Sequence, residues 1–192
     1  SAASDVYKRQ SVNYCVHEMF AEKQADTLVI RFNDTKGIWS KWQPAAGDTV
    51  RFKEGASDTG KMFIHSMKPE NGLFTIRAMS MPKTAKIRKS KSWEGVRFLQ
   101  LANEFAGNHG LTFKNYGCED QVYPYIKQSN EGDFSLFSRL CMLEGCQMLI
   151  FDGSLLAYNE HYIEQQEPAG SLTVDENGVF TYEDNRDTMF GS

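Results

Sequence analysis

Asp133 and Glu144 are the carboxylates set at the two ends of the most strongly apolar helix-like stretch, and paired carboxylates can cleave glycosidic bonds. On one helix their spacing of eleven residues puts them about three turns, or roughly 16 Å, apart, too far to flank a single bond. Zinc chemistry would draw on Cys118, Cys141, Cys146 and His109. The chain has no C-x-x-C pair, however, and Cys141 and Cys146 span a helix end, so no metal site is expected. His17 and His65 sit in strand-like runs with no cysteine or carboxylate at ligand spacing, and they read as ordinary residues. No G-x-S-x-G, H-E-x-x-H, P-loop or G-x-G-x-x-G occurs. Trp39 and Trp42 flank a turn, where two aromatic rings could hold a sugar or fill an interface pocket, with packing in the core or between domains the expected use. Asn33-Asp34-Thr35 fits a glycosylation pattern but reads as a turn. Arg139 lies in an apolar helix, which suggests a partly buried guanidinium paired with a carboxylate or with backbone carbonyls. The sequence thus offers no catalytic, cofactor-binding or metal-binding residue, and the chain is read as not an enzyme and without cofactors.

The elements that would position these residues are those of a folded protein. Of 192 residues, 41% are hydrophobic and 24% charged, near globular averages, so the chain can build one large domain or two small ones. No apolar run approaches the roughly 18 residues of a membrane helix, and mean hydropathy is -0.50, so no membrane span is expected. Four widely spaced cysteines suit reduced thiols. Residues 1–130 carry 19 Lys and Arg against 13 Asp and Glu, a balance of +6, whereas residues 131–192 carry 2 against 12, a balance of -10. Such a division suits either two differently solvated faces or charge-matched packing between subunits or partners, and both better than specific nucleic-acid binding.

Residues 27–32 alternate Leu28, Ile30 and Phe32 with Val29 and Arg31, the period of a half-buried strand. Gly47-Asp48 precedes a further strand at residues 49–53, and the region reads as turn-rich and all-β. Asn71-Gly72 joins strands at 61–67 and 73–79 in a type I′ hairpin, with Phe74, Ile76 and Ala78 on the buried face. Similar hairpins are expected at Asp152-Gly153 and Asn177-Gly178. A helix is expected from Trp93 to His109, with Ser92 as N-cap and Gly110 as its stop. A second is expected over residues 133–144, with Asp133 in the first turn, where the helix dipole favours a carboxylate, and Gly145 as the left-handed stop. Between them and the first strands, residues 83–91 carry Lys83, Lys86, Arg88, Lys89 and Lys91 and read as a solvated basic linker, with an electrostatic contact to an acidic neighbour as the alternative. The organisation expected is a non-native leader at 1–10, a first β-barrel-like domain at 11–82, the linker at 83–91, and a second, truncated domain at 92–192 with two helices and β-hairpins. The fold class is mainly β with inserted helices (α+β), as two tandem β-barrel-like domains.

The run from Gln128 to Gly145, Q-S-N-E-G-D-F-S-L-F-S-R-L-C-M-L-E-G, resembles the Q-x-x-E-S-D-F-x-F-L-x-R-L-x-E-x-E-G run of the baseplate hub proteins of contractile tails. These include the phage late control protein D family and the VgrG proteins of type VI secretion. Further pieces resembling hubs of phages and phage-like elements occur in order: residues 26–32, Trp39 to Trp42, Gly47-Asp48, Thr59-Gly60 to Ile64, residues 78–82 and Lys91-Ser92-Trp93. Together they span about residues 26–160. The motif residues are Trp39, Trp42, Asp48, Gly60, Trp93, Gln128, Asp133, Phe134, Arg139 and Gly145. One departure is Gly132, where the family commonly has Ser before the Asp, a change that should weaken the helix cap by only about a few tenths of a kcal/mol.

The resemblance implies a noncatalytic hub subunit of a contractile phage tail or phage-like injection machine. It would form a homotrimeric ring that joins the tail tube protein to the spike protein and contacts other baseplate proteins. It would be located in the virion tail baseplate after assembly in the bacterial cytoplasm. Two similar domains in each of three chains would offer six near-equivalent positions, so that a threefold spike can meet a sixfold tube. The alternatives are a tail-associated cell-wall hydrolase whose catalytic part lies beyond this sequence, and a free-standing carbohydrate- or oligonucleotide-binding β-barrel.

Overall fold

The computed structural model describes residues 12–20, 25–42, 44–55, 57–167, 170–174 and 180–184, and all structural statements concern these. Among the described residues strands predominate over four short helices, so the fold is mainly β with helices added, an α+β arrangement of a curled half-barrel sheet and further sheets.

The first half builds a five-stranded antiparallel sheet in the order β1 (Val12–Glu18), β2 (Thr27–Asn33), β7 (Leu73–Met79), β6 (Met62–Glu70) and β3 (Thr49–Val50). Leu28, Ile30 and Phe32 of β2 and Phe74, Ile76 and Ala78 of β7 are all buried, as a period of two on one covered face requires. Asn71 and Gly72 both have positive φ, the type I′ geometry that joins β6 to β7. At the start of β6 three successive residues, Met62, Phe63 and Ile64, are buried. Successive side chains leave a strand on opposite faces, so Met62 and Ile64 enter the core under this sheet while Phe63 joins the core of the second half.

The region is not purely β. Residues 38–42 form a short helix, α1 (Ile38–Trp42), because the Asp34 carboxylate accepts hydrogen bonds from the backbone N–H groups of Trp39 at 2.8 Å and Ser40 at 3.0 Å. A two-stranded ribbon, β4 (Lys53–Glu54) and β5 (Ser57–Asp58), follows β3 in place of one continuous strand over 49–53.

The basic stretch 83–91, expected as a solvated linker, carries structure. It holds a 3-10 turn, Lys83–Lys86, with Ala85 buried, and then opens β8 (Lys89–Arg97). The helix expected from Trp93 begins only at Phe98: α2 spans Phe98–Asn108, and Ser92 lies inside β8 instead of capping a helix. The reason is tertiary, since β8 pairs antiparallel with β10 (Val122–Glu131), setting Trp93 opposite Ile126 and Lys91 opposite Gln128. Gly110 does end α2. The Leu111 N–H reaches the Ala106 carbonyl at 2.9 Å and the Gly110 N–H reaches that of Gly107 at 3.2 Å, the two bonds of a Schellman stop.

α3 (Asp133–Leu143) then packs beside α2. It is followed by β11 (Gln147–Phe151) and β12 (Ser154–Tyr158), joined at Asp152-Gly153. β12 also pairs in parallel with β9 (Thr112–Tyr116), a pairing the sequence pattern did not reveal. α4 (Glu160–Glu164) and the pair β13 (Gly170–Val174) and β14 (Phe180–Asp184) complete the described elements. β13 and β14 pair as a hairpin would, while its expected turn at Asn177-Gly178 lies outside the described residues. The second core is built from Phe98, Leu101 and Phe105 of α2 and Phe134, Leu136, Phe137 and Leu140 of α3, with Phe98 and Phe137 stacked at 5.2 Å.

Candidate functional site

Asp133, in the first turn of α3, is a buried carboxylate, the residue 1% exposed. Four side chains from three different elements donate to its carboxylate. Gln128 Nε2, from β10, reaches Oδ1 at 2.9 Å. Lys89 Nζ, from the start of β8, reaches Oδ2 at 2.9 Å. Asn108 Nδ2 and His109 Nε2, at the end of α2, reach Oδ2 at 3.1 Å each. Thr84, in the 3-10 turn, completes the network, its hydroxyl lying 2.9 Å from His109 Nδ1.

Burial drives the Asp133 carboxyl upward, but the hydrogen bonds of Gln128, Lys89 and Asn108 and the charge of Lys89 outweigh it and hold the group below its ordinary range. His109 moves down as well, because burial disfavours an imidazolium more strongly than the nearby carboxylate favours it. A neutral ring has one proton. With a carboxylate at Nε2 that proton sits there, and Nδ1 accepts the Thr84 hydroxyl hydrogen.

Thr84, His109 and Asp133 therefore form a hydroxyl, imidazole and carboxylate row, the ordering that nucleophilic hydrolases use. Two observations give it a holding role. Asp133 is shared among four donors instead of serving the imidazole alone. The groove alongside, of about 660 Å³, is lined by Met81, Ala85, Lys86, Arg88, Gly132 and Phe134 among others, but not by Thr84. The network ties β8, β10, α2, α3 and the 3-10 turn to one charge.

Gln128, Asp133 and Phe134, singled out in the sequence, thus meet at one place; the Phe134 ring lies 4.8 Å from that of His109. Thr84, Lys89, Asn108 and His109 were not singled out as its partners, and the only sequence signal was a carboxylate opening an otherwise apolar helix. The other motif residues serve elsewhere. Trp93 donates its indole N–H to Glu104 at 3.1 Å and meets Phe105 edge-on, with Lys91 over its face. Gly145 has φ of 65° and closes α3 by the same double bond as α2, Cys146 N–H to the Cys141 carbonyl at 2.8 Å and Gly145 N–H to that of Met142 at 3.3 Å. Glu144 accepts from the Tyr123 hydroxyl at 2.7 Å. Asp48 organises its own turn by accepting the Ala45 N–H. Trp39 stacks on Phe32 with ring centres 4.0 Å apart, in the first core. Trp42 ends α1, and its side chain lies outside what is described.

Arg139 is paired with a carboxylate as expected but is not buried. Its side chain is 53% exposed and bonds half-buried Glu131, at the end of β10, at 2.9 Å, so it does not clamp the helix from within. Gly60 has a purpose the sequence did not show. A Cβ there would stand 2.9 Å from the Asp152 Cβ, and the neighbouring Lys61 N–H donates to Asp152 Oδ1 at 2.7 Å, so the second half's hairpin tip docks on this glycine. Gly132 likewise has a steric cause, since a Cβ would stand 2.9 Å from the Ala85 carbonyl oxygen.

Burial pushes the Cys118, Cys141 and Cys146 thiols up, away from the thiolate a nucleophile needs. Among the described residues no group of three or more His, Cys, Asp or Glu side chains is placed to hold a metal ion, and no helix is long and apolar enough to cross a membrane.

No family model matches the chain, and no curated protein matches it. Solved structures do. The 43 kDa tail protein of prophage MuSo2 from Shewanella oneidensis is similar with a TM-score of 0.56 at 15% identity, over 79% of this chain and 51% of that one. A tail protein from Neisseria meningitidis MC58 gives 0.55 at 10% identity, over 86% and 47%. The prophage tail protein gp18 from Listeria monocytogenes EGD-e gives 0.52 at 11% identity, over 92% and 61%. The chain spans about half to three fifths of the length of these proteins. At such identities the likeness is one of fold, a fold this chain shares in part with these three tail proteins.

Proposed function

We propose that the chain is a noncatalytic structural subunit of a phage or phage-like tail, acting at the baseplate hub, where copies form a ring between tail tube and spike. The observation that carries this reading is the likeness of fold to three tail proteins over 79% to 92% of the chain. The ordered motif run from Asp26 to Gly145, which resembles hub proteins, supports the narrower assignment. The Asp133 network supports a rigid part, because its ionisable groups are consumed in holding five elements together.

Light scattering for mass, joined to negative-stain microscopy for outline, tests the reading. A threefold ring is the expected result. A chain that stays monomeric at every concentration and releases soluble fragments from purified peptidoglycan would replace it with the hydrolase alternative.

A further inference from the structure

The groove beside the Asp133 network has an apolar floor of Ala85, Phe134, Met81 and Met148, and Lys86 and Arg88 line it. Lys83 stands in the same 3-10 turn. Lys83, Lys86 and Arg88 are exposed, and among the described residues none of them has an ion-pair partner, whereas the neighbouring Lys89 and Lys91 are both paired. The one acid lining the groove, Glu131, is already held by Arg139.

Elsewhere the chain presents the matching surface. Glu160, Glu164 and Glu167 are exposed, at spacings of four and three residues on and just past α4. Of these only Glu164 has an ion-pair contact among the described residues, to His161 at 3.9 Å. Tyr162, 43% exposed, lies among them. This segment is fixed in place: the Asn159 side chain caps it by accepting the Tyr162 N–H at 3.2 Å, and the Asn159 N–H bonds the Tyr116 carbonyl at 2.9 Å.

We propose that the groove seats the acidic segment Glu160–Glu167 of a second copy of this chain, so that copies associate head to tail. Charge complementarity within one sequence selects this occupant. A twofold contact of groove on groove would set cations against cations. A contact of groove on the α4 segment sets three unpaired cations against three carboxylates. Head-to-tail contacts close into rings when the rotation allows, so the proposal rests on the hub reading and names the surfaces its ring would use.

The test is sedimentation of the chain at high micromolar concentration in low and high salt. The wild type is expected to associate, and to dissociate as salt rises from about 50 mM to about 500 mM. K86E/R88E and E160K/E164K, all at exposed positions, should each weaken association by about tenfold or more. An equal mixture of the two variants should recover it, because each supplies the charge the other has reversed. Circular dichroism melts establish that each variant folds, and K86Q/R88Q, which removes charge without reversing it, should fall between. A wild type that is monomeric throughout, or folded variants that neither weaken association alone nor recover it together, overturns the proposal. Charge-dependent association that runs on into filaments supports this contact and overturns the ring. A ring that persists in both variants does the reverse.

Discussion

Lys89 Nζ stands 2.9 Å from Asp133 Oδ2, joining the first residue of β8 to the first residue of α3 across 44 positions of sequence. The carboxylate is buried and the ammonium half reaches solvent, so the pair sits where removing one partner costs more than the pair contributes.

Asp133→Ala is therefore expected to lower the unfolding free energy by about 2–4 kcal/mol, since Lys89, Gln128, Asn108 and His109 all lose an acceptor. Urea unfolding measures it. A loss under about 1 kcal/mol would remove the network from the account of stability.

Stability should fall as the solution is acidified. His109 has a depressed folded-state pKa, so its contribution is complete above the unfolded histidine value near 6.5 and is lost as pH falls through the lower folded value. His65 is depressed in the same direction, by burial and by the charges of Lys86 and Lys83 despite its bond to the Met81 carbonyl, and adds to the slope. Asp133, also depressed, contributes above the ordinary carboxylate range and loses its contribution at still lower pH. Melting temperatures between pH 7 and pH 5 should decline in the wild type and decline less in His109→Gln, whose remaining slope belongs to His65. Equal slopes in the two proteins would contradict the assignment.

Gly132→Ser offers a sharp contrast between two causes. Helix capping alone would make serine stabilising by about a few tenths of a kcal/mol. The Ala85 carbonyl, 2.9 Å from where the new Cβ must go, is backbone and yields poorly, so a loss of about 1 kcal/mol or more is expected. Thermal unfolding of the single variant decides the sign.

Arg139→Ala should change stability by less than about 1 kcal/mol, because an exposed guanidinium bonded to one carboxylate contributes little. A loss above about 2 kcal/mol in denaturant unfolding would restore the buried role that the apolar helix around it suggests.

Local chemistry was legible wherever a residue acts on its own neighbours. Asn71-Gly72 specifies a type I′ turn by its tolerance of positive φ, and Gly110 and Gly145 stop their helices for the same reason. Trp93 shows the limit. Its apolar neighbours keep a helical period, yet pairing with Ile126 across the β8 and β10 ladder draws residues 89–97 into a strand. Gly60 and Gly132 show a second limit, since each reads as a turn or a weak cap and is required by backbone or Cβ atoms many residues away.

The sequence by itself determined the alternating strands, the hairpin turns, the ends of α3 and the division of charge, because these follow from backbone preferences and side-chain periods over a few residues. Only the tertiary structure decided that Asp133 would gather Lys89, Asn108, His109 and Gln128, that β9 would lie parallel to β12, and that Lys83, Lys86 and Arg88 would be left unpaired beside an apolar groove. The physical reason is that a buried charge takes whichever donors the packing of distant elements brings within about 3 Å, and no local pattern encodes that distance.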